Sequence, residues 1–118
     1  MNAYTRSRFL TAVKLFNEKE YFECHEVLED IWFDVRDDSR DLYQGLLHAA
    51  VGLYHLTKKN NTKGTLIQLN KAADKLGRFE GKIKEIDLAK LLKQLKSIAL
   101  KIQKKEQPKR LPKIVITI

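Results

Sequence analysis

Between Leu42 and Thr57 the chain runs for 16 residues without a formal charge. The chain as a whole is 32% charged. An uncharged stretch in such a sequence belongs either in a membrane or in a protein core. It falls short of the roughly 20 apolar residues that a helical span needs. Gln44, His48 and His55 also interrupt it. We therefore read it as a buried helix of a water-soluble protein, with no membrane span. It is apolar almost all round, which marks the central helix of a bundle. Such a helix is shielded only when other helices surround it, so the rest of the chain must supply them.

The composition agrees. Five Gly and two Pro occur in 118 residues, and no β-branched run appears before Ile114. This is an all-α pattern. A chain of this length buries about two thirds of its unfolded surface around one core. The expected architecture is a single-domain bundle of about five helices over residues 1–107, followed by a short extended tail at 108–118. The helices are expected at 5–18, 22–36, 40–58, 63–79 and 88–106, with the third largely buried. Phe9, Val13 and Phe16 share one side of the first, and Cys24, Leu28, Ile31, Trp32 and Val35 one arc of the second. Leu66, Leu69, Ala73 and Leu76 should be buried in the fourth. Asp37, Asp38 and Ser39 read as a capping loop, Asn60, Asn61 and Thr62 as a turn and a cap, Asp87 as a cap, and Gly81 as a helix stop. The tail holds Pro112 and then Ile114, Val115, Ile116, Thr117 and Ile118. A β-prone end of this kind should dock on its own body or on a partner copy, which makes a homodimer plausible.

Cys24 is the single cysteine, which rules out an intrachain disulfide and a zinc site built on cysteines. A reducing compartment, the cytoplasm, is the natural setting. Lys14 breaks the early apolar stretch and no small-residue cleavage site follows, so no signal peptide is expected. The net charge of +8 hides a division. Residues 18–41 hold 10 acidic against 3 basic groups, and residues 82–118 hold 11 basic against 3 acidic. Residues 1–81 sum to zero. The two charged regions should attract, within one molecule or between two.

Polar groups gather on the second and third helices. His25 and Glu29 are one turn apart beside the apolar arc, and Glu26 points largely away. Gln44, His48, Val51 and His55 fall on one side of the third helix, with Arg40 on the same side. One reading is a structural network, with Glu29 or Gln44 partnering a buried His and Arg40 neutralising Glu29. Another is a pocket for a small ligand or peptide. A third is a divalent-metal hydrolase using His25, Glu29 and one of His48 or His55, with Glu26 as base. His48 and His55 lie about 10 Å apart along a helix, so one ion cannot take both. Trp32 and Tyr54 read as core, and Cys24 as an inert packed thiol. No Ser-His-Asp spacing or phosphate-cradling Gly loop is present, and no cofactor is implied.

The fifth helix is amphipathic. Leu88, Leu91, Leu92, Leu95, Ile98, Ala99 and Ile102 form one face, and Lys90, Lys93, Lys96, Lys101, Lys104 and Lys105 the other. Without interleaved aromatics, and with Arg110 as its only arginine, this region is suited to weak, non-specific nucleic-acid contact at most.

The sequence Phe22-Glu23-Cys24-His25-Glu26-Val27-Leu28-Glu29-Asp30-Ile31-Trp32 resembles the F-E-x-H-E-x-L-E-x-x-W signature of domain-of-unknown-function family 309. Gln44-Gly45-Leu46-Leu47-His48 with Ala50, Tyr54 and His55 resembles that family's second block, and Asn61-x-x-Gly64 its turn. The resemblance covers residues 7–80. It implies a small, mostly prokaryotic, all-helical protein and supplies no activity. It marks His25, Glu26, Glu29, Trp32, Gln44, Tyr54 and Asn61 as motif positions. Thr65 stands where the family has Ala, a change expected to affect packing. The leading expectation is a non-enzymatic binding or interaction module with a polar seam between helices two and three. The hydrolase and the weak nucleic-acid binder are the alternatives.

Overall fold

A computed structural model describes residues 1–117. Its five helices are α1 (Ala3–Asn17), α2 (Tyr21–Asp34), α3 (Arg40–Lys58), α4 (Thr62–Gly77) and α5 (Leu88–Gln103). They pack in chain order, α1 on α2, α2 on α3, α3 on α4 and α4 on α5. The expected all-α, five-helix bundle is what forms.

Local chemistry sets the ends. Asn2 Oδ1 accepts from Thr5 N at 2.8 Å and starts α1 two residues before the expected position. Lys19 at φ 65° reverses the chain into α2. Asp37 Oδ1 accepts from Ser39 N at 2.9 Å, so the loop before α3 is held by Asp37. Ser39 itself makes no side-chain cap. Asn61 Oδ1 accepts from Gly64 N at 2.9 Å and caps α4. A Cβ at Gly64 would lie 2.7 Å from Asn61 Nδ2, so the cap needs glycine there. α4 ends at Gly77, before the expected limit, and Gly81 at φ +79° lies in the turns beyond it. Asp87 Oδ1 caps α5 by accepting from Lys90 N at 3.0 Å. Lys105 at φ 60° follows the end of α5 at Gln103, so this helix stops three residues early.

Every residue from Arg40 to Leu56 is buried or partly buried, as the uncharged run requires. The closest packing is between α3 and α4. A Cβ on Gly45 would fall 2.8 Å from the Leu76 side chain, and one on Gly52 3.0 Å from Leu69. Gly45 and Gly52 are two helical turns apart and let α4 settle directly on α3. This contact rotates α4 relative to the expected stripe. Thr65, Leu69, Ala72 and Leu76 are buried, whereas Leu66 and Ala73 are only partly so. Thr65 Oγ1 satisfies itself by donating to Asn61 O at 2.8 Å, so the departure from Ala costs no unpaired hydroxyl.

The other apolar faces pack as their periodicity demands. Phe9, Val13 and Phe16 of α1 are buried, with Ala12. Phe9 meets Tyr43 edge-on and Phe16 meets Tyr21 edge-on. All seven apolar residues of the α5 stripe are buried. The tail docks on its own body. Asn17 brackets the peptide of Ile114, donating Nδ2 to Ile114 O at 2.9 Å and accepting from Ile114 N at 2.7 Å. Ile116 forms an antiparallel bridge with Ile86, supported by Asp87 N donating to Val115 O and Thr117 N to Glu85 O. Ile114 is buried. Ile118 lies outside the described residues.

The expected internal attraction between the two charged regions does not occur. Among the described residues, Asp34 pairs with Arg8, and Asp41 with Lys75 and Arg78. Among the described residues no ion pair reaches from residues 18–41 to residues 82–117. The helices at the centre of the two regions, α2 and α5, are not neighbours in the packing order.

Candidate functional site

The signature blocks of α2 and α3 meet on one surface. α2 has two sides because its apolar residues recur every three to four positions. Tyr21, Cys24, Leu28 and Ile31 face the core. Phe22, Glu23, Glu26, Glu29, Asp30 and Phe33 are exposed. His25 lies at the border, its side chain 26% exposed. Its Nδ1 donates to Phe22 O at 3.3 Å, and its Nε2 stands 3.5 Å from Glu29 Oε2. The spacing of one turn thus brings His25 and Glu29 together as expected. The Phe22 ring lies 5.6 Å from the His25 ring and 5.7 Å from Tyr54, near the end of α3. Lys59 Nζ approaches the Tyr54 ring at 5.8 Å. Beside these rings a hollow of about 430 Å³ is lined by Lys19, Glu20, Tyr21, Phe22, Glu23, Tyr54 and Lys58.

The other candidates lie elsewhere. His48 Nδ1 donates to Gln68 Oε1 of α4 at 2.8 Å, so it partners neither α2 nor Gln44. Burial, with Lys71 and Lys75 nearby, holds its pKa below the ordinary histidine value despite the Gln68 bond. Gln44, one turn before His48, is partly buried. His55 is partly buried, and its Nδ1 is enclosed without a hydrogen-bond partner. Arg40 does not neutralise Glu29. Its guanidinium lies 4.1 Å over the Trp32 ring, and its Nε donates to Trp32 O at 3.1 Å. A planar cation stacked on an aromatic face gains more here than from an exposed carboxylate. Trp32 is partly buried under it. Glu26 is exposed and points away from His25, and Asn61 serves as the α4 cap.

Among the described residues, no three His, Cys, Asp or Glu side chains stand close enough to hold one metal ion. Of the two histidines expected to offer a third ligand, His48 is turned toward Gln68, and the Nδ1 of His55 is enclosed without a hydrogen-bond partner. Cys24 is fully buried, and burial pushes its thiol up to about 12. Its Sγ donates to Ala12 O at 3.3 Å. A neutral, enclosed thiol is no nucleophile.

Reading the sequence missed two participants. Gln68 lies outside the quoted blocks, and nothing short of the α3–α4 register could pair it with His48. Phe22 stands inside the signature, and its position on the polar side of α2 was the available signal.

A family model described as "Domain of unknown function (DUF309)" matches residues 9–67, half of the chain. The chain belongs to this family. The DUF309 stretch contains α2, α3, the Asn61 cap and the rings of Phe22, His25 and Tyr54, and leaves out Gln68, α5 and the tail. "Uncharacterized protein YpuF" of Bacillus subtilis (strain 168) is 30% identical over 84 residues. That alignment takes in 63% of this chain and 48% of YpuF, so the chain spans about half the length of that relative. Among the described residues no helix is long and apolar enough to cross a membrane.

Proposed function

We propose that this protein is a non-enzymatic interaction module whose working surface is the exposed side of α2 together with Tyr54. One observation carries the reading. The side chain of Phe22 is held in water, 47% exposed, against the rings of His25 and Tyr54, where the two signature blocks meet. An aromatic ring kept at the surface and fixed by its neighbours is a low-entropy anchor for a partner. Glu23, Glu26, Glu29 and Asp30 surround it with negative charge. The matching partner is cationic and amphipathic, its apolar side meeting Phe22 and its cations meeting the carboxylates. The pair His25–Glu29, expected on this seam, and the pair His48–Gln68, which was not, leave Phe22 free.

The test uses a synthetic amphipathic Leu/Lys peptide as probe, followed by backbone amide shifts. The expected result is a set of shifts centred on Phe22, His25, Glu26 and Tyr54. Those shifts should be lost in Phe22→Ala/Tyr54→Ala while the fold persists. Shifts that map elsewhere, or none at all, would rule out this surface.

A further inference from the structure

We propose that the partner at the α2 surface is a second copy of this chain, presenting α5 and the tail, so that copies associate head to tail. This rests on the interaction-module reading and names the partner of that same surface.

The two charged regions do not compensate each other inside the molecule: among the described residues, the acids of 18–41 that pair do so with Arg8, His25, Lys75 and Arg78. Residues 18–41 hold 10 acidic against 3 basic groups, and residues 82–118 hold 11 basic against 3 acidic. Among the described residues no ion pair involves any residue from 82 onward. Glu23, Glu26 and Asp30 make no ion pair either.

Apolar and charged positions match as well. At 100° per residue, Glu23, Glu26 and Asp30 share one side of α2 with Phe22 and with Phe33, which is 65% exposed. Lys93 and Lys96 of α5, with Lys104 at its C-cap, share one side with Leu100, which is 52% exposed. Each helix therefore shows a charged row with apolar residues set into it, and the two rows have opposite sign. A cleft of about 500 Å³ between α5 and the tail adds Lys101, Lys109 and Arg110 beside Lys93 and contains no carboxylate. It can receive the α2 acids at the edge of the contact.

The two faces differ, so the contact is heterologous. Repetition then gives an open chain of copies, or a ring if the rotation closes. The whole-molecule charge of +8 opposes approach at long range. At physiological salt the screening length is about 8 Å, so the facing rows decide the outcome at contact.

Sedimentation velocity tests this. At about 50 mM salt the weight-average mass should rise with protein concentration, and at about 500 mM it should return to the monomer value. Glu23→Lys/Glu26→Lys/Asp30→Lys has two basic faces, and Lys93→Glu/Lys96→Glu/Lys104→Glu has two acidic ones. Each alone should stay monomeric, and an equimolar mixture should recover a complex. If a reversal variant fails to fold, the corresponding alanine variant, checked by circular dichroism, should still lower association about tenfold. A wild-type chain monomeric at both salts overturns the proposal, as do reversal variants that associate like the wild type. Should the wild type stay monomeric while the Leu/Lys peptide still shifts Phe22 and Tyr54, the partner is wrong and the interaction surface stands. If the peptide also fails, both readings fall. Binding of an oligonucleotide to the α5 face by a monomeric wild type likewise overturns self-association and assigns that face to a polyanion.

Discussion

His48 sits where a proton is unwelcome. Burial disfavours the imidazolium first, and Lys71 and Lys75 add like charge, while the bond to Gln68 opposes them in part. The unfolded chain takes up this proton near the ordinary value of 6.5, and the folded chain only at lower pH. Above that ordinary value neither state is charged at this residue and stability is unaffected. As pH falls below it the unfolded state binds more protons, so stability is lost progressively toward the folded pKa. The melting temperature should therefore be flat from about pH 8 to 7 and decline below about 6.5. His48→Gln should remove part of that decline, and an unchanged slope in the variant would refute the assignment. At this scale the sequence was informative where partners lie within one helix. His25 and Glu29 are joined by spacing alone. The pairs His48–Gln68 and Arg40–Trp32 depend on how separate segments approach, which local spacing does not encode.

Gly45 and Gly52 shape the element scale. In an exposed helix, Gly→Ala is favourable by up to about 1 kcal/mol. At Gly45 the added methyl would meet Leu76, which is fully buried and has little freedom to yield. Gly45→Ala should therefore destabilise by about 1–3 kcal/mol. Gly77 provides the contrast, since nothing lies within 4 Å of its added Cβ. Gly77→Ala should hold or raise stability by up to about 1 kcal/mol. Urea unfolding of both variants checks the ordering, and equal effects would mean that α3 and α4 do not rely on this close approach. The same contact explains what was legible among the helices. The α5 stripe was readable in full because charge and apolarity alternate so strongly along it. The α4 stripe was read a little off because the two glycines of α3, not the periodicity of α4, decide which side turns inward. Helix ends moved by a few residues wherever a side-chain cap or a positive φ prevailed over the apolar pattern.

Across the whole molecule the division of charge was plain in the sequence, but its internal neutralisation was not correct. Two helices of opposite sign attract only if packing brings them together, and stacking in chain order keeps α2 and α5 apart. The docking of the tail was legible as a need to hide apolar residues. Its receptor was not, because Asn17 is a polar residue near the end of α1, 97 positions from Ile114. Asn17→Ala removes both hydrogen bonds of this bracket and should cost about 1–3 kcal/mol in denaturant unfolding. A cost near zero would mean the tail is held by Ile114 and Ile116 alone. The bracket also has a consequence for time. Neighbouring helices can dock with little loop-closure entropy, but joining Asn17 to Ile114 first would close most of the chain for two hydrogen bonds. The bracket is therefore expected to form after the rate-limiting barrier. Asn17→Ala should speed unfolding and leave refolding nearly unchanged, so the tail sets how long the native state lasts rather than how quickly it is reached.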